Sequence, residues 1–592
     1  MLVRRPLLLA ALVLPLLVVT RCDAPALAAA PPLTLPSLPP SVPTRLWAET
    51  PPHPRLSPAL NQLVAAQQSS APETAEARRG LAGLARADGR VEIVVESATA
   101  ETAALAARAA ELGGEIVARH GTLLFATLPA GRLAALADAP GVVRIRLPYR
   151  SDPDLVSEGV TPTGAATLHS AGYLGQGVKV GVLDCGGFSG YASLLGSELP
   201  AQVTLWNGGT SGDPVGSSVH GTACAEIVHD MAPQAALYLA HDGNEADFYS
   251  AVDWFIAQGV DVISYSCGSF GAYPYDGSGA PHNLTNAKVE AARQAGILWV
   301  NSAGNYADGE TYEATYSAYP GTNWHSFDGG WSNRWGYLTA GRSYYLTLSW
   351  SDWPANPATQ GASHDYNLEL WRWDGTQWLT VATSGNSQNG TAGQLPFEEI
   401  DFTPSVSDWY YLAITRVSGP GTDYLNLRTF GANFEHFNAA RSVSSPADSP
   451  QAFAVGALAW NGLALEVYSS RGPTLGPGGS AAGGYLKPDL VAPDGVSTVT
   501  YGVSNGQPWP GGSGFFGTSA SCPHVAGGAA LLLDEYPNLT ADALATLLRS
   551  EALDVGAAGA DNDTGYGLLS LGFNIVWADG FDAGALWPVH RP

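Results

Sequence analysis

The sequence predicts an α/β protein: a parallel sheet with helices on both faces, interrupted by an all-β sandwich and preceded by a small α+β unit. Three textures predict it. From Gly175 to Asn301, and again from Ala452, short continuous apolar runs alternate with helical patterns, as strands buried on both faces of a parallel sheet require. Residues 306–440 are dense in Trp, Tyr, Ser, Gly and Asn, with alternation at strand spacing that marks an antiparallel sandwich. Residues 90–147 read β-α-β-β-α-β, a ferredoxin-like order.

In chain order, residues 1–30 come first. Arg4 and Arg5 precede the apolar run Leu7 to Val19, and small residues end it at Ala26-Leu27-Ala28. That is the pattern of a secretory signal peptide, too short for a stable span, and it predicts secretion to the extracellular space or the periplasm. A lipid anchor at Cys22 competes, but Arg21 stands where a small residue is needed. No later stretch has the apolar length of a membrane span, so no membrane role is expected once the signal is removed.

Residues 31–150 follow. Ala29 to Ala71 is rich in Pro and Ala without periodicity and reads as a linker. The α+β unit has strands at Arg90–Ser97, Glu115–Ala118, Leu123–Leu128 and Val142–Leu147, with helices at Glu101–Leu112 and Arg132–Ala137. Tyr149 to Ser157 is a polar, extended junction.

The parallel sheet occupies residues 151–305 and 441–575. Its first part has strands at Lys179–Leu183, Ala236–Ala240, Val262–Tyr265 and Ile297–Asn301, with helices at Ala223–Val228, Ala246–Gln258 and Leu284–Gln294. Between the two parts, residues 306–440 carry strands at Tyr344–Trp350, Tyr366–Trp373, Trp378–Ala382, Glu399–Phe402, Trp409–Thr415 and Tyr424–Arg428. Ala452–Ala459 then resumes the sheet, so the two ends of this insert should lie together. Its aromatics suit a core, and those left exposed would suit a polysaccharide or protein surface. The tail, 576–592, carries no assignable pattern.

Composition narrows the function. With 53 acidic against 28 basic residues the net charge is -25, which excludes a nucleic-acid or anionic-membrane role because no dense basic face exists to neutralise phosphates. A hydrophobic content of 45% is ample for two or three folded units. After the leader, Cys185, Cys224, Cys267 and Cys522 remain; they allow three disulfide connectivities or serve as small buried hydrophobes.

The chemistry centres on Gly517-Thr518-Ser519-Ala520, which precedes a small-residue helix. A serine at a helix start meets backbone N–H groups and a dipole that favour a developing oxyanion. Its hydroxyl needs a base, and the base needs an orienting carboxylate. Asp184 ends a predicted buried strand before Gly186-Gly187, and His220-Gly221-Thr222 opens a predicted helix, so each candidate stands at an element end.

Four segments, Gly181-Val-Leu-Asp184-Cys-Gly, His220-Gly-Thr-Ala, Ser302-Ala-Gly-Asn305 and Gly517-Thr-Ser519-Ala-Ser-Cys-Pro-His, resemble in order the signatures of the subtilisin-like serine peptidases. Ser469-Ser-Arg-Gly-Pro473 and Lys487-Pro-Asp-Leu-Val-Ala-Pro493 also resemble stretches that precede that family's serine. The resemblance implies a secreted bacterial endopeptidase acting on polypeptides through an acyl-enzyme. Ser519 would be the nucleophile, His220 the base, Asp184 its orienting group, and Asn305 an oxyanion donor. Ser266-Cys267-Gly268 and Ser302-Ala303-Gly304 would line the substrate. Residues 31–150 would be the propeptide of a zymogen, inhibiting the enzyme until cut away; a permanent N-terminal domain is the alternative. Cys185 and Cys267 depart from the family pattern, which bears on substrate preference.

No cofactor is required by such a mechanism and no metal ligand set is predicted. Asp561-Asn562-Asp563-Thr564-Gly565 has a calcium-loop flavour but lacks the closing Glu, so a turn is expected, with calcium left open as a structural ion. Two rival functions remain. Glu226 to Asp230 resembles the acidic helix of the serine-carboxyl (sedolisin-like) acid peptidases, although His220 and Asn305 fill the positions of that family's base and oxyanion Asp. The other rival is a non-catalytic secreted binding protein on a peptidase scaffold.

Overall fold

The computed structural model describes residues 90–99, 102–146, 156–210, 212–462 and 464–571, together with His53, Arg55, Leu56, Leu60 and Val64. The signal peptide, most of the linker, most of the junction from Tyr149 and the C-terminal tail lie outside the described residues. The chain divides into two compact units, one within residues 26–153 and one within 154–592.

In the first unit, β1 (Arg90–Ser97), α1 (Ala103–Glu111), β2 (Glu115–His120), β3 (Leu123–Pro129), α2 (Leu133–Ala137) and β4 (Val142–Arg146) build an antiparallel sheet of order β2-β3-β1-β4. Alternate residues Val91, Ile93 and Val95 of the central strand meet Leu105, Ala109, Leu133 and Leu136 of the helices in one core. Leu56 and Leu60 fall in the stretch read as a linker, yet both are buried in that core.

The second unit opens with α3 (Ala165–Ala171), β5 (Lys179–Asp184), β6 (Thr204–Leu205), α4 (His220–Met231), β7 (Ala236–His241), α5 (Glu245–Gln258), β8 (Val262–Tyr265), α6 (Leu284–Gln294) and β9 (Leu298–Ser302). After a stretch of β structure, β18 (Ala452–Ala459), β19 (Leu490–Asp494), α7 (Thr518–Glu535) and α8 (Ala541–Glu551) complete it. The seven-stranded sheet has order β19-β18-β9-β8-β5-β7-β6, with every pairing parallel. Val180 and Val182 of β5 face α4 and α7, whereas Leu183 and, from β8, Ile263 and Tyr265 face α5 and α6. Both faces are therefore covered, which is why these strands read as unbroken apolar runs. Gly527 lets α4 and α7 close up, since a Cβ there would overlap Met231.

Between β9 and β18 lie β10 (Thr311–Thr315), β11 (Asn333–Leu338), β12 (Tyr344–Trp350), β13 (Tyr366–Trp373), β14 (Trp378–Ser384), β15 (Phe397–Phe402), β16 (Asp408–Arg416) and β17 (Tyr424–Phe430). They form two four-stranded antiparallel sheets, β10-β17-β12-β15 and β11-β16-β13-β14, that share one core around Leu346, Leu348, Leu370, Leu412 and Leu427. Trp335, Trp350, Tyr366 and Tyr410 are buried there. Trp373, Trp378, Trp409 and Tyr337 are exposed on the second sheet, so the aromatics divide between core and surface.

β9 and β18 are adjacent and parallel, with Trp299 opposite Ala452, so the chain leaves and re-enters the seven-stranded sheet at neighbouring strands. The join is buried. Phe430 of β17 stacks on Phe270 with ring centroids 4.3 Å apart. The fully buried Arg428 donates to the carbonyls of Arg441 and Val443, each at 2.9 Å, and lies over the Tyr275 ring.

Candidate active site

Each candidate stands where an element ends. Asp184 closes β5 and is fully buried; its Oδ1 accepts from the N–H groups of Gly186 and Gly187 at 2.9 and 2.8 Å. The Gly186-Gly187 turn therefore does more than end the strand, because it fixes the carboxylate's plane. His220 is the first residue of α4, and its Nδ1 lies 2.5 Å from Asp184 Oδ2. A carboxylate can only accept, so Nδ1 carries the proton and Nε2 is left with the lone pair that a general base uses. Phe515 packs edge-on against the imidazole at 5.6 Å and holds its plane.

Ser519 is the second residue of α7, at 5% exposure. Pro523, four residues on, has no N–H to give the Ser519 carbonyl. That carbonyl instead accepts from Ser266 Oγ at 3.0 Å and Cys224 Sγ at 3.6 Å. Ser519 Oγ in turn donates to the Ser266 carbonyl at 3.1 Å. Ser266 follows β8, the neighbour of β5, so these bonds register the helix start against the strand ends that carry Asp184.

Asn305 follows β9. Its Oδ1 accepts from Thr518 N at 2.9 Å and from Thr518 Oγ1 at 3.0 Å, which turns the amide's Nδ2 donor away from Thr518. Gly517 has φ of 114°, in the left-handed region, and a Cβ built there would lie 3.0 Å from Asn305 Nδ2 and 3.6 Å from Ser519 N. The Asn305 Nδ2 and Ser519 N–H donors thus border one small space at Gly517.

Of the candidate lining residues, Ser266 touches Ser519 directly. Gly268 abuts Ser444, whose Oγ a Cβ would overlap, and Gly304 N donates to Thr518 Oγ1 at 3.1 Å. Ala303 N donates to the Val455 carbonyl at 2.8 Å, and Ser302 is buried at the end of β9. Cys267 forms a disulfide with Cys185, joining the residue after Asp184 to the segment after β8 whose Ser266 bonds Ser519. Nothing in the spacing of 82 residues announces that pairing. Asp184, His220 and Cys267 offer ligand atoms within 4.8 Å of one another, but the Cys267 sulfur is spent in the disulfide and the other two are bonded together, so the set does not suit a metal ion.

Among the described residues, Cys224 and Cys522 are the free thiols, and both are buried. Burial raises Cys224 far above the ordinary thiol range and pushes Cys522 up to about 11, so neither is a nucleophile at neutral pH. Glu226 is buried and accepts from Val499 N at 2.6 Å and from the Thr500 hydroxyl. Burial also pushes Asp230 up to about 8, against the hydrogen bond from Ser157 N at 2.8 Å. Both acids tie loops to α4, a role that helix spacing alone does not reveal. Asp561 Oδ1 accepts from the N–H groups of Asp563 and Thr564, each at 2.8 Å, so the calcium-like segment is a turn closed by its own carboxylate.

Known proteins bear on this site. Subtilisin of Bacillus pumilus is 32% identical over 185 residues, 28% of this chain and 62% of that protein. Subtilisin E of Bacillus subtilis is also 32% identical over 185 residues, covering 28% of this chain and 45% of its own length. The chain thus spans about half to three fifths of the length of these relatives. Among solved structures, the CspB protease of Clostridium perfringens aligns over 70% of this chain at 15% identity with a TM-score of 0.49. The pattern that defines the Subtilase family matches residues 175–398 and 346–567, a span that holds Asp184, His220, Asn305 and Ser519. A chain matched over that much of its length, with its family signatures gathered at the ends of one parallel sheet, belongs to the subtilase family of serine peptidases.

Proposed function

We propose that this protein is a secreted serine endopeptidase that hydrolyses polypeptides through an acyl-enzyme. The observation that carries the reading is the buried 2.5 Å contact between His220 Nδ1 and Asp184 Oδ2, which leaves Nε2 as the basic nitrogen. Ser519 Oγ, whose proton points to the Ser266 carbonyl in the resting chain, turns that proton to His220 Nε2 as it attacks the scissile carbonyl. Asn305 Nδ2 and Ser519 N–H receive the oxyanion. The imidazolium then gives its proton to the leaving amine, and water repeats the cycle on the ester with His220 again as base. Nucleophile, base and oxyanion donors all come from the chain, so the chemistry calls for no cofactor.

In this reading residues 31–150 are a propeptide that inhibits until it is removed. The cut falls ahead of Ser157, because Ser157 is buried, with its N–H on Asp230 and its hydroxyl 2.7 Å from His524 Nε2. Residues 306–440 are an inserted sandwich; their departure from and return to adjacent strands support that.

Hydrolysis of an unfolded protein substrate as a function of pH tests the reading against an acid peptidase. A serine enzyme needs neutral imidazole, so activity should rise through the histidine range to a plateau near or above neutral pH. An optimum near pH 4 would contradict it, since only a carboxyl-based catalyst works there.

A further inference from the structure

Asn305 and Ser519, the proposed oxyanion donors, sit on two separate segments, the turn after β9 and the head of α7. Donors of this kind work only when their spacing is fixed before the charge develops. Thr518 supplies one link, through its bonds to Asn305 Oδ1. A second link runs through a residue that the family signatures do not single out. Tyr468 is buried, and its carbonyl accepts from Ala307 N at 3.1 Å, two residues beyond Asn305. Its phenolic oxygen accepts from Gly517 N at 3.1 Å, two residues before Ser519. The same hydroxyl donates to Asp494 Oδ2, at the end of β19, and Asp494 is fully buried. A phenol has one proton to give. With it given to Asp494, the lone pairs are left for Gly517.

The neighbouring Ser470 extends the grip, donating its N–H to the Gly304 carbonyl at 2.9 Å and accepting from Tyr306 N at 3.1 Å. Gly517, at φ of 114° and without a side chain, has nothing of its own to brace it. The Gly517 N–H bond to Tyr468, together with the Ala520 N–H bond to the Gly517 carbonyl at 2.8 Å and the Thr518 N–H bond to Asn305, sets the rotation of the chain into α7, and with it the aim of the Ser519 N–H. We infer that Tyr468, oriented by Asp494, is a positioning residue that fixes the two oxyanion donors relative to each other. Its hydrogen bonds are to Gly517, Asp494 and Ala307, so it acts through the donors it holds, and the inference rests on the serine-peptidase reading above.

The test uses the full chain carrying Tyr468→Phe, Asp494→Asn or Ser519→Ala, assayed on a small peptide anilide and with a peptide boronic acid that forms a tetrahedral adduct. Tyr468→Phe is expected to lower kcat about tenfold and to weaken boronate binding by the same factor, with KM within about twofold. Asp494→Asn keeps an acceptor oxygen for the phenol and should remain within about threefold of the parent. With Ser519→Ala inactive, a Tyr468→Phe enzyme of undiminished kcat overturns the inference. So does a loss of kcat without loss of boronate affinity. If Tyr468→Phe does not fold, Tyr468→Phe combined with Asp494→Ala, which buries no orphan carboxyl, is held to the same criteria. Activity that survives Ser519→Ala would instead overturn the serine-peptidase reading beneath it.

Discussion

Ser519→Ala is expected to abolish peptide hydrolysis while leaving the fold intact, and to yield a secreted chain that keeps residues 31–150 attached. In subtilisin itself, losing the serine alone lowers turnover by about a millionfold, as much as losing the whole triad. An effect on that scale is expected because Asp184 and His220 have no purpose without a hydroxyl to activate. The fold should survive: the Ser519 hydroxyl makes one hydrogen bond, to the Ser266 carbonyl at 3.1 Å, whereas the Ser519 carbonyl that Ser266 and Cys224 hold is backbone and remains. N-terminal sequencing and thermal melting of parent and variant check both halves. Normal processing of the variant in isolation would mean that the N-terminal unit is not removed by this site.

Asn305→Ala is the second large effect. Turnover should fall about a hundred- to thousandfold with KM nearly unchanged, a range that derives from the equivalent donor in subtilisin. The reason is that Nδ2 meets charge that exists only in the transition state, while the ground-state carbonyl barely reaches it. The variant also removes Oδ1 from Thr518 N and Oγ1. Asn305→Asp is therefore the cleaner companion: it keeps that acceptor, loses the donor, and should be at least as inactive as the alanine. Steady-state kinetics with chemistry shown to be rate-limiting decide it, and unchanged turnover would remove Asn305 from the oxyanion site.

Five strands of the parallel sheet were legible because each is buried on both faces, so its apolar run needs no partner to be recognised. Lys179–Asp184 and Ala452–Ala459 are examples, and the latter has the bounds read from the sequence. Thr204–Leu205, two residues long and partly exposed, and Leu490–Asp494 were not read as strands. Thr311–Thr315 and Asn333–Leu338 were not legible. The first is five residues of mixed polarity, and the second is broken at Gly336, where φ is 102° and the register with β16 shifts. Asp184 and His220 stood out because each is a polar group at the edge of an apolar pattern. The partners that hold them did not, since they are long-range. The Cys185–Cys267 disulfide, the bond from Ser266 to the carbonyl freed by Pro523, and the Tyr468–Asp494 pair each join residues whose pairing cannot be read until the sheet brings them together. Glu226 and Asp230 show the converse, an eye-catching acidic helix whose carboxylates are occupied by loop N–H groups.

The central claim is that His220 and Asp184 make Ser519 a nucleophile, and labelling with a peptidyl phosphonate followed by peptide mapping tests it most directly. Only a serine whose proton is taken by a neighbouring base reacts at a useful rate. One equivalent of adduct is expected on Ser519 in the parent, with none on Ser521 in the same helix turn, and His220→Ala should abolish it while the protein still melts cooperatively. A folded parent that takes up no phosphonate, or one whose adduct maps away from Ser519, would contradict the account.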